Sequence, residues 1–147
     1  MTTVQPMTPD SELQAAWRDG ARALREGRAA EALGLFSKIT AAGQAPSTVW
    51  IGVAMAHRAL ADRVQELAAL QQALSLEPRD IRVLIMVADN HAAANDARAA
   101  GAYYSTAVKI AAATTGLDRG LDAEVARAQQ MLENYAAGYG DHLRDSL

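Results

Sequence analysis

The residues of this 147-residue chain that could do chemistry are its histidines and the carboxylates near them. His57 and His91 are ordinary candidates for metal ligands, and the run Asp89-Asn90-His91 places a carboxylate two residues before an imidazole. A 2-His-1-carboxylate iron site normally uses the reverse order, and the remaining histidine downstream is His142. The pattern therefore favours packed, hydrogen-bonded histidines and predicts no metal or other cofactor.

Motifs for nucleophilic or phosphate chemistry are missing. The chain has no cysteine, no G-x-S-x-G elbow and no S-x-x-K pair. It also lacks the G-x-G-x-x-G and P-loop patterns that cradle phosphates. Its carboxylates are scattered at predicted helix starts and exposed faces, where the helix dipole favours them. We therefore expect a protein that is not an enzyme.

Composition narrows the classes of partner. The net charge is -3, and no run of five or more Lys or Arg residues occurs, so nucleic acid is a poor candidate. The first ten residues lack the basic start and apolar run of a signal peptide. No stretch reaches the 18 or so apolar residues of a membrane span. The sequence thus predicts a soluble, cytoplasmic protein without a membrane partner.

An internal repeat indicates which elements position these residues. Units that begin at Leu13, Ser47 and Ile81 are 34 residues apart and align without gaps. Equivalent positions hold small residues (the eighth), turn-forming residues (the fifteenth) and large residues (the twenty-fourth). In unit order, these residues are Gly20, Ala54 and Ala88; Gly27, Ala61 and Asn95; and Phe36, Leu70 and Tyr104.

Each repeat position has a physical role in a helix–turn–helix unit. A small eighth residue lets two helices approach to about 8 Å. A Gly or Asn at the fifteenth position tolerates the left-handed conformation that ends the first helix. His57 and His91 share the eleventh position, so adjacent units place them about 10 Å apart, a helix diameter. Because zinc–nitrogen bonds are about 2 Å long, one metal cannot readily join them.

The pattern resembles the tetratricopeptide repeat, whose motif is W-x2-L-G-x2-Y followed by A-x3-F, A and P. The resemblance implies an all-α, right-handed helical solenoid of three helix hairpins followed by a long C-terminal capping helix. The residues that match are Trp50, Leu70, Ala73 and Pro78 in the second unit, Gly20, Ala32 and Phe36 in the first, and Ala100, Tyr104 and Ala107 in the third.

Two residues depart from the family pattern. Asp19 stands where the first unit should be apolar, and Glu66 replaces a small buried residue in the second. Glu66 is either displaced to the surface by a local shift or paired with an arginine, and we expect the shift. The expected organisation is a flexible tail at 1–10, repeats within 11–113 (13–46, 47–80 and 81–114), and a loop with the capping helix at 115–147.

Local signals predict the helix boundaries. Ser47, Asp80 and Asp122 are expected to cap the helices that follow them. Apolar residues at three- and four-residue steps predict a stripe on the last helix that covers the helix before it. The predicted helices are 10–26, 29–42, 47–60, 63–76, 80–94, 97–113 and 121–145, and the stripe is Val125, Ala128, Leu132, Tyr135, Tyr139 and Leu143.

The resemblance also implies a binding surface, because the first helices of such repeats line a concave groove. The expected function is a protein–protein interaction module that binds a peptide or protein segment there. An apolar floor edged by arginines suits an apolar segment with acidic flanks, while the chain's own N-terminal segment, a neighbouring domain or a second copy in a homo-oligomer are alternatives. The expected groove residues are Trp17, Arg18, Ile51, Met55, Arg58, Arg82, Ile85, Met86 and Asp89.

A second resemblance concerns the C-terminal part, from Ala100 to Arg144. Its Ala/Arg-rich helices and Asp141-His-Leu-Arg ending are similar to the repeat region preceding the oxygenase domain of bacterial aspartyl/asparaginyl β-hydroxylase-like proteins. This resemblance implies an alternative function, a non-catalytic regulatory or substrate-positioning region of a larger enzyme. Whether the native polypeptide continues past Leu147 would decide between the two functions.

Overall fold

The computed structural model describes the backbone of residues 9–145 and the side chains from Asp10 to Gly138. Every regular element in that range is a helix, which confirms the all-α class. The predicted flexible tail at 1–10 lies almost entirely outside the described residues. The helices are α1 (Pro9–Arg25), α2 (Ala29–Ala41), α3 (Ser47–Ala59), α4 (Arg63–Leu76), α5 (Ile81–Ala93), α6 (Ala97–Ala112) and α7 (Arg119–Asp145).

The helices belong to two compact units, which we describe separately. The first unit ends at Leu76 and holds α1 to α4, and the second begins at Glu77 and holds α5 to α7. In the first unit α1 packs on α2, α3 packs on α4, and α2 also packs on α3. In the second unit α5 packs on α6, and α7 packs on both.

The turn inside each of the three helix pairs has the same geometry. Its fifteenth-position residue is left-handed, with φ of 79° at Gly27, 59° at Ala61 and 62° at Asn95. The next residue donates its N–H to a carbonyl five residues earlier, which satisfies the end of the first helix. These bonds run from Arg28 to Ala23 (2.8 Å), from Asp62 to His57 (2.9 Å) and from Asp96 to His91 (2.9 Å). The prediction for the fifteenth position is confirmed in all three units.

Ala61 is the turn residue whose type does not suit its conformation. A left-handed backbone costs a residue with a Cβ about 1–2 kcal/mol, and glycine avoids this cost at a smaller loss of unfolded-chain entropy. We therefore expect Ala61→Gly to stabilise the first unit by about 0.5–1 kcal/mol in urea unfolding. Ala68→Gly, at an exposed position inside α4, should instead destabilise it by about 1 kcal/mol. If both variants lose stability equally, the strain at Ala61 is refuted.

The N-terminal caps of α3 and α5, which follow the first and second hairpins, differ from each other. The Asp80 carboxylate accepts the N–H groups of Arg82 (3.0 Å) and Val83 (3.4 Å), so the predicted cap of α5 is confirmed. The prediction for Ser47 is wrong, because Ser47 is the first residue of α3 and Pro46 occupies the capping position. Pro46 has no side-chain oxygen, and α3 consequently begins without a side-chain cap.

The last helix begins earlier than predicted. It starts at Arg119, and the Asp118 carboxylate accepts the N–H of Leu121 at 2.7 Å. Asp122, the predicted cap, therefore lies within the first turn of α7. The correction has a simple reason: Asp118 offers the same carboxylate one turn upstream, where it reaches the free N–H groups first.

Phe36 fills the centre of the first unit between two helices that carry glycine. Its ring is fully buried and lies against both Gly20 on α1 and Gly52 on α3. A Cβ on Gly20 would stand 2.6 Å from the ring's Cε1, and one on Gly52 would stand 3.0 Å from Cε2. The missing Cβ atoms thus make room for one aromatic ring that links three helices.

The core of the second unit includes a face of α7. Ala128 on α7 is fully buried, and Leu132 and Tyr135 are half-buried. Tyr135 lies close to Gly101 of α6, and its ring is 6.4 Å from that of the buried Tyr104. This part of the apolar stripe therefore packs on α6, while the side chains of Tyr139 and Leu143 fall outside the described residues.

Glu66 is not displaced to the surface. It lies in the first turn of α4 and is only 3% exposed, so the expected local shift is wrong. The partial positive charge at a helix N-terminus favours a carboxylate in this turn. Glu66 also interacts with another group in the structure. Asp19, the other departure, is half-buried and pairs with Arg18.

Candidate functional site

An apolar pocket opens in the first unit between the first half of α1, the α2–α3 loop and the first turn of α3. Its volume is about 440 Å³, within the range of pockets that bind small ligands or side chains. Most of its walls are apolar, and among the described lining residues Asp10 alone is charged. The lining residues are Asp10, Leu13, Gln14, Trp17, Ile39, Gly43, Gln44, Ala45, Pro46, Thr48 and Val49.

Trp17 joins this pocket to the core. Its ring is tilted on Phe36, with 5.5 Å between the ring centroids, yet 38% of the residue is exposed. A large aromatic side chain fixed on one side and accessible on the other is a typical anchor for binding. Because Phe36 is itself held between Gly20 and Gly52, Trp17 stands on a rigid support.

The loop wall of the pocket depends on two consecutive left-handed residues. Gly43 has a φ of 87° and Gln44 a φ of 54°. These conformations reverse the direction of the chain after α2 and lead it to Pro46, the N-cap residue of α3. The sequence analysis did not include these loop residues in the expected groove. The left-handed conformation of Gln44 could not be predicted from its residue type, because positive φ is uncommon for residues other than glycine.

The structure separates the expected groove residues into accessible and buried ones. Ile85 is only 2% exposed, so its assignment to an accessible groove floor is wrong. Met55 is 45% exposed, while Ile51 and Met86 are half-buried. The arginines expected at the edge are all exposed, namely Arg18, Arg58 and Arg82. Of the whole expected set, only Trp17 lines the pocket.

Asp89, also expected in the groove, is engaged within the second unit. Arg127 of α7 donates two hydrogen bonds to its carboxylate, at 2.9 and 2.8 Å, and also pairs with Glu124. The buried Tyr104 hydroxyl donates to the same carboxylate at 2.5 Å. This network satisfies Asp89 internally, so the carboxylate is not available as a free binding group.

The network and the burial of its members raise the pKa values of the groups around Asp89. Burial raises the pKa of the Tyr104 hydroxyl, and the hydrogen bond to Asp89 raises it further. The hydrogen bonds to Asp89 and Glu124 raise the pKa of the Arg127 guanidinium. Burial, with a smaller contribution from Asp89, also raises the pKa of Tyr135. These shifts favour neutral tyrosines and a charged guanidinium, the protonation states in which the hydrogen bonds to Asp89 form.

The described histidines are packing residues. His91 stacks on Tyr103, with centroids 5.6 Å apart and planes 12° from parallel. His57 is half-buried beside Trp50 in a second recess of about 420 Å³, but its buried Nδ1 has no hydrogen-bond partner among the described residues. The expected hydrogen bond is therefore wrong for that atom. No group of three or more His, Asp or Glu side chains within the described range could hold a metal.

No helix of the described part is both long and apolar enough to span a membrane. No known family model matches the chain. No curated protein matches it either.

Solved structures do match it. PcrH bound to the chaperone-binding region of PopD is 20% identical, with a TM-score of 0.77, over 93% of this chain and 99% of that one. PcrH from Pseudomonas aeruginosa is 19% identical with a TM-score of 0.74, over 91% of this chain and 98% of that one. The Yersinia enterocolitica type III secretion chaperone SycD, with a peptide of the translocator YopD, is 12% identical with a TM-score of 0.77, over 86% and 94%.

At these identities the likeness shows the fold alone. The matched proteins include no support for the resemblance of the C-terminal part to β-hydroxylase-like proteins. They do support the repeat pattern found in the sequence, and the recurring left-handed turns at Gly27, Ala61 and Asn95 agree with it. The chain therefore has an all-α helical repeat fold of the tetratricopeptide type.

Proposed function

We propose that this chain is a protein–protein interaction module that binds a peptide segment of a partner, with the pocket beside Trp17 as its anchor site. The observation that carries the proposal is an apolar pocket of about 440 Å³ whose exposed tryptophan is fixed on a buried ring. Such a pocket suits one or two apolar side chains of a partner segment. No catalytic role is assigned to it.

The solved structures support the same kind of function. PcrH was crystallised with the chaperone-binding regions of PopD and of PopB, and SycD with a peptide of YopD. Those proteins share the fold of this chain and bind segments of other proteins. We therefore propose that the exposed residues Met55 and Arg58 and the half-buried Ile51, all on α3, make further contacts with the bound segment.

The test begins with a library of random peptides displayed on phage and selected against the purified full chain. A selected peptide, made with a fluorescent label, is then titrated with the protein by anisotropy. Trp17→Ala should weaken binding at least about tenfold, as truncation of a central aromatic anchor does. Val64→Ala, a change at a 77% exposed apolar residue outside the pocket, should have no effect.

A second variant guards against loss of folding. Thr48 is exposed and lines the pocket, so Thr48→Trp fills the pocket without removing any core contact. This variant should remain fully helical by circular dichroism and should also weaken binding about tenfold or more. Undiminished binding by both variants, or a selection that yields no peptide above background, would contradict the proposed function.

A further inference from the structure

We infer that the segment bound at this pocket carries a basic residue, Lys or Arg, next to its apolar anchor, and that this residue pairs with Asp10. The inference rests on the proposed function and names the chemistry of the partner. The sequence instead predicted acidic flanks on the partner segment, because exposed arginines lie on the first helices of the repeats. Those arginines do not line the pocket.

The charge of the pocket wall is negative. Among the described residues that line it, Asp10 alone is charged, and its side chain is exposed. No ion pair of Asp10 occurs within the described part of the chain. Glu12, in the same first turn of α1, is also exposed, but it lies two residues on, on another face of the helix, and does not line the pocket. A cation brought to the pocket mouth therefore meets the Asp10 carboxylate and no competing cation among the described lining residues.

The arginines lie too far along the helices to offset this charge. Thr48 and Val49 contact the pocket in the first turn of α3, whereas Arg58 is nine or ten residues later, about 15 Å along the axis. On α1, Arg22 and Arg25 lie in the last turn. Arg18 is nearer, but it pairs with its neighbour Asp19 and does not line the pocket.

The acidic first turn of α1 stabilises the helix itself, and this effect alone is no evidence for a ligand. An acidic first turn and a basic last turn complement the helix dipole in any protein. What points to a ligand is the position of Asp10 on the wall of an apolar pocket that the partly exposed Trp17 also lines. An apolar side chain in the pocket places the adjoining residue of its segment near this carboxylate, and a basic residue there gains an ion pair.

The experiment uses the selected peptide remade in three versions, with Lys, Ala or Glu beside the apolar anchor. For the natural chain at low salt, the Lys version should bind about three- to fivefold more tightly than the Ala version, the range of one exposed ion pair. The Glu version should bind more weakly than the Ala version. The preference should shrink at high salt, because screening weakens exposed charge pairs.

Variants of Asp10 identify the responsible carboxylate. Asp10→Asn should reduce the Lys preference, and Asp10→Lys should reverse it in favour of the Glu version. Glu133→Gln, which changes net charge equally at an exposed site on α7, should leave the preference intact. Equal binding of the three versions to the natural chain would overturn the inference, as would a Lys preference that survives Asp10→Lys.

Failure of the inference and failure of the proposed function give different results. Suppose that Trp17→Ala and Thr48→Trp weaken the binding of all three peptides while the Lys, Ala and Glu peptides bind the natural chain equally. In that case the pocket binds peptide, and the inference of a basic residue in the partner is refuted. If neither pocket variant changes the binding of any version, or if no version binds, the proposed function fails and the inference fails with it.

Discussion

Replacing Phe36 with alanine is expected to destabilise the first unit by about 3–5 kcal/mol, the range for truncating a buried aromatic residue. The ring is fully buried, and two glycines leave no Cβ that could move into the cavity. The loss should therefore fall near the upper end of the range. Because Trp17 is tilted on this ring, the variant should also weaken peptide binding.

The sequence provides a separate signal for each unit. Both tryptophans, Trp17 and Trp50, lie in the first unit, and all four tyrosines lie in the second. Urea unfolding of Phe36→Ala followed by tryptophan fluorescence thus reports the first unit, and tyrosine ultraviolet signals report the second. Leu35→Ala, at the neighbouring half-buried position, is the matched control and should lose less. Equal losses for the two variants would contradict the central role of the ring.

Much of the fold follows from the spacing of 34 residues. Two of the turns were predictable because a left-handed backbone restricts the residue type, and Gly27 and Asn95 meet that restriction; the turn at Ala61 was predictable only from its equivalent position in the repeat. Local capping and turn signals predicted the helix boundaries to within two residues. The prediction at Ser47 failed because Ser47 is itself the first residue of α3, and the prediction at Asp122 failed because Asp118 caps α7 one turn upstream.

The candidate site was less predictable than the fold. Repeat positions indicate which face of a helix a residue occupies, but they do not indicate how deeply it is buried. Ile85 shows this, since it occupies an expected groove position and is only 2% exposed. The pocket itself depends on the conformation of Gly43 and Gln44, which the adjoining sequence does not specify.

Long-range polar contacts were also outside the reach of the sequence. Asp89 and Arg127 are 38 residues apart, and no periodic pattern connects them. Asp89 followed the rule for a groove position, so it was expected to face a partner. The structure instead satisfies it with Arg127, which the packing of α7 on α5 brings to it, and with Tyr104 of α6.

Tyr104→Phe is expected to destabilise the second unit by about 1.5–3 kcal/mol, the usual contribution of a hydrogen bond to a charged group. The substitution keeps the buried ring and removes only the hydroxyl that donates to Asp89. Tyrosine ultraviolet signals during urea unfolding measure the loss. Tyr103→Phe is the matched control, because Tyr103 is the neighbouring tyrosine on α6 and its ring stacks on His91.

The same hydroxyl predicts how stability depends on alkaline pH. In the unfolded chain Tyr104 ionises near pH 10.0, whereas in the fold burial and the Asp89 hydrogen bond raise its pKa. The folded chain therefore keeps a proton that the unfolded chain releases, so this part of the stability is complete below pH 10.0 and is lost as the pH rises above it. The slope approaches about 1.4 kcal/mol per pH unit for one group.

Tyr104→Phe should flatten this alkaline decline, while Tyr103→Phe should leave it nearly unchanged. The remaining decline should include Tyr135, whose pKa burial also raises. An unchanged alkaline decline in Tyr104→Phe would mean that the hydroxyl ionises as readily in the fold as in the unfolded chain. The Asp89–Tyr104 hydrogen bond, which joins α6 to α5, would then contribute little to the stability of the second unit.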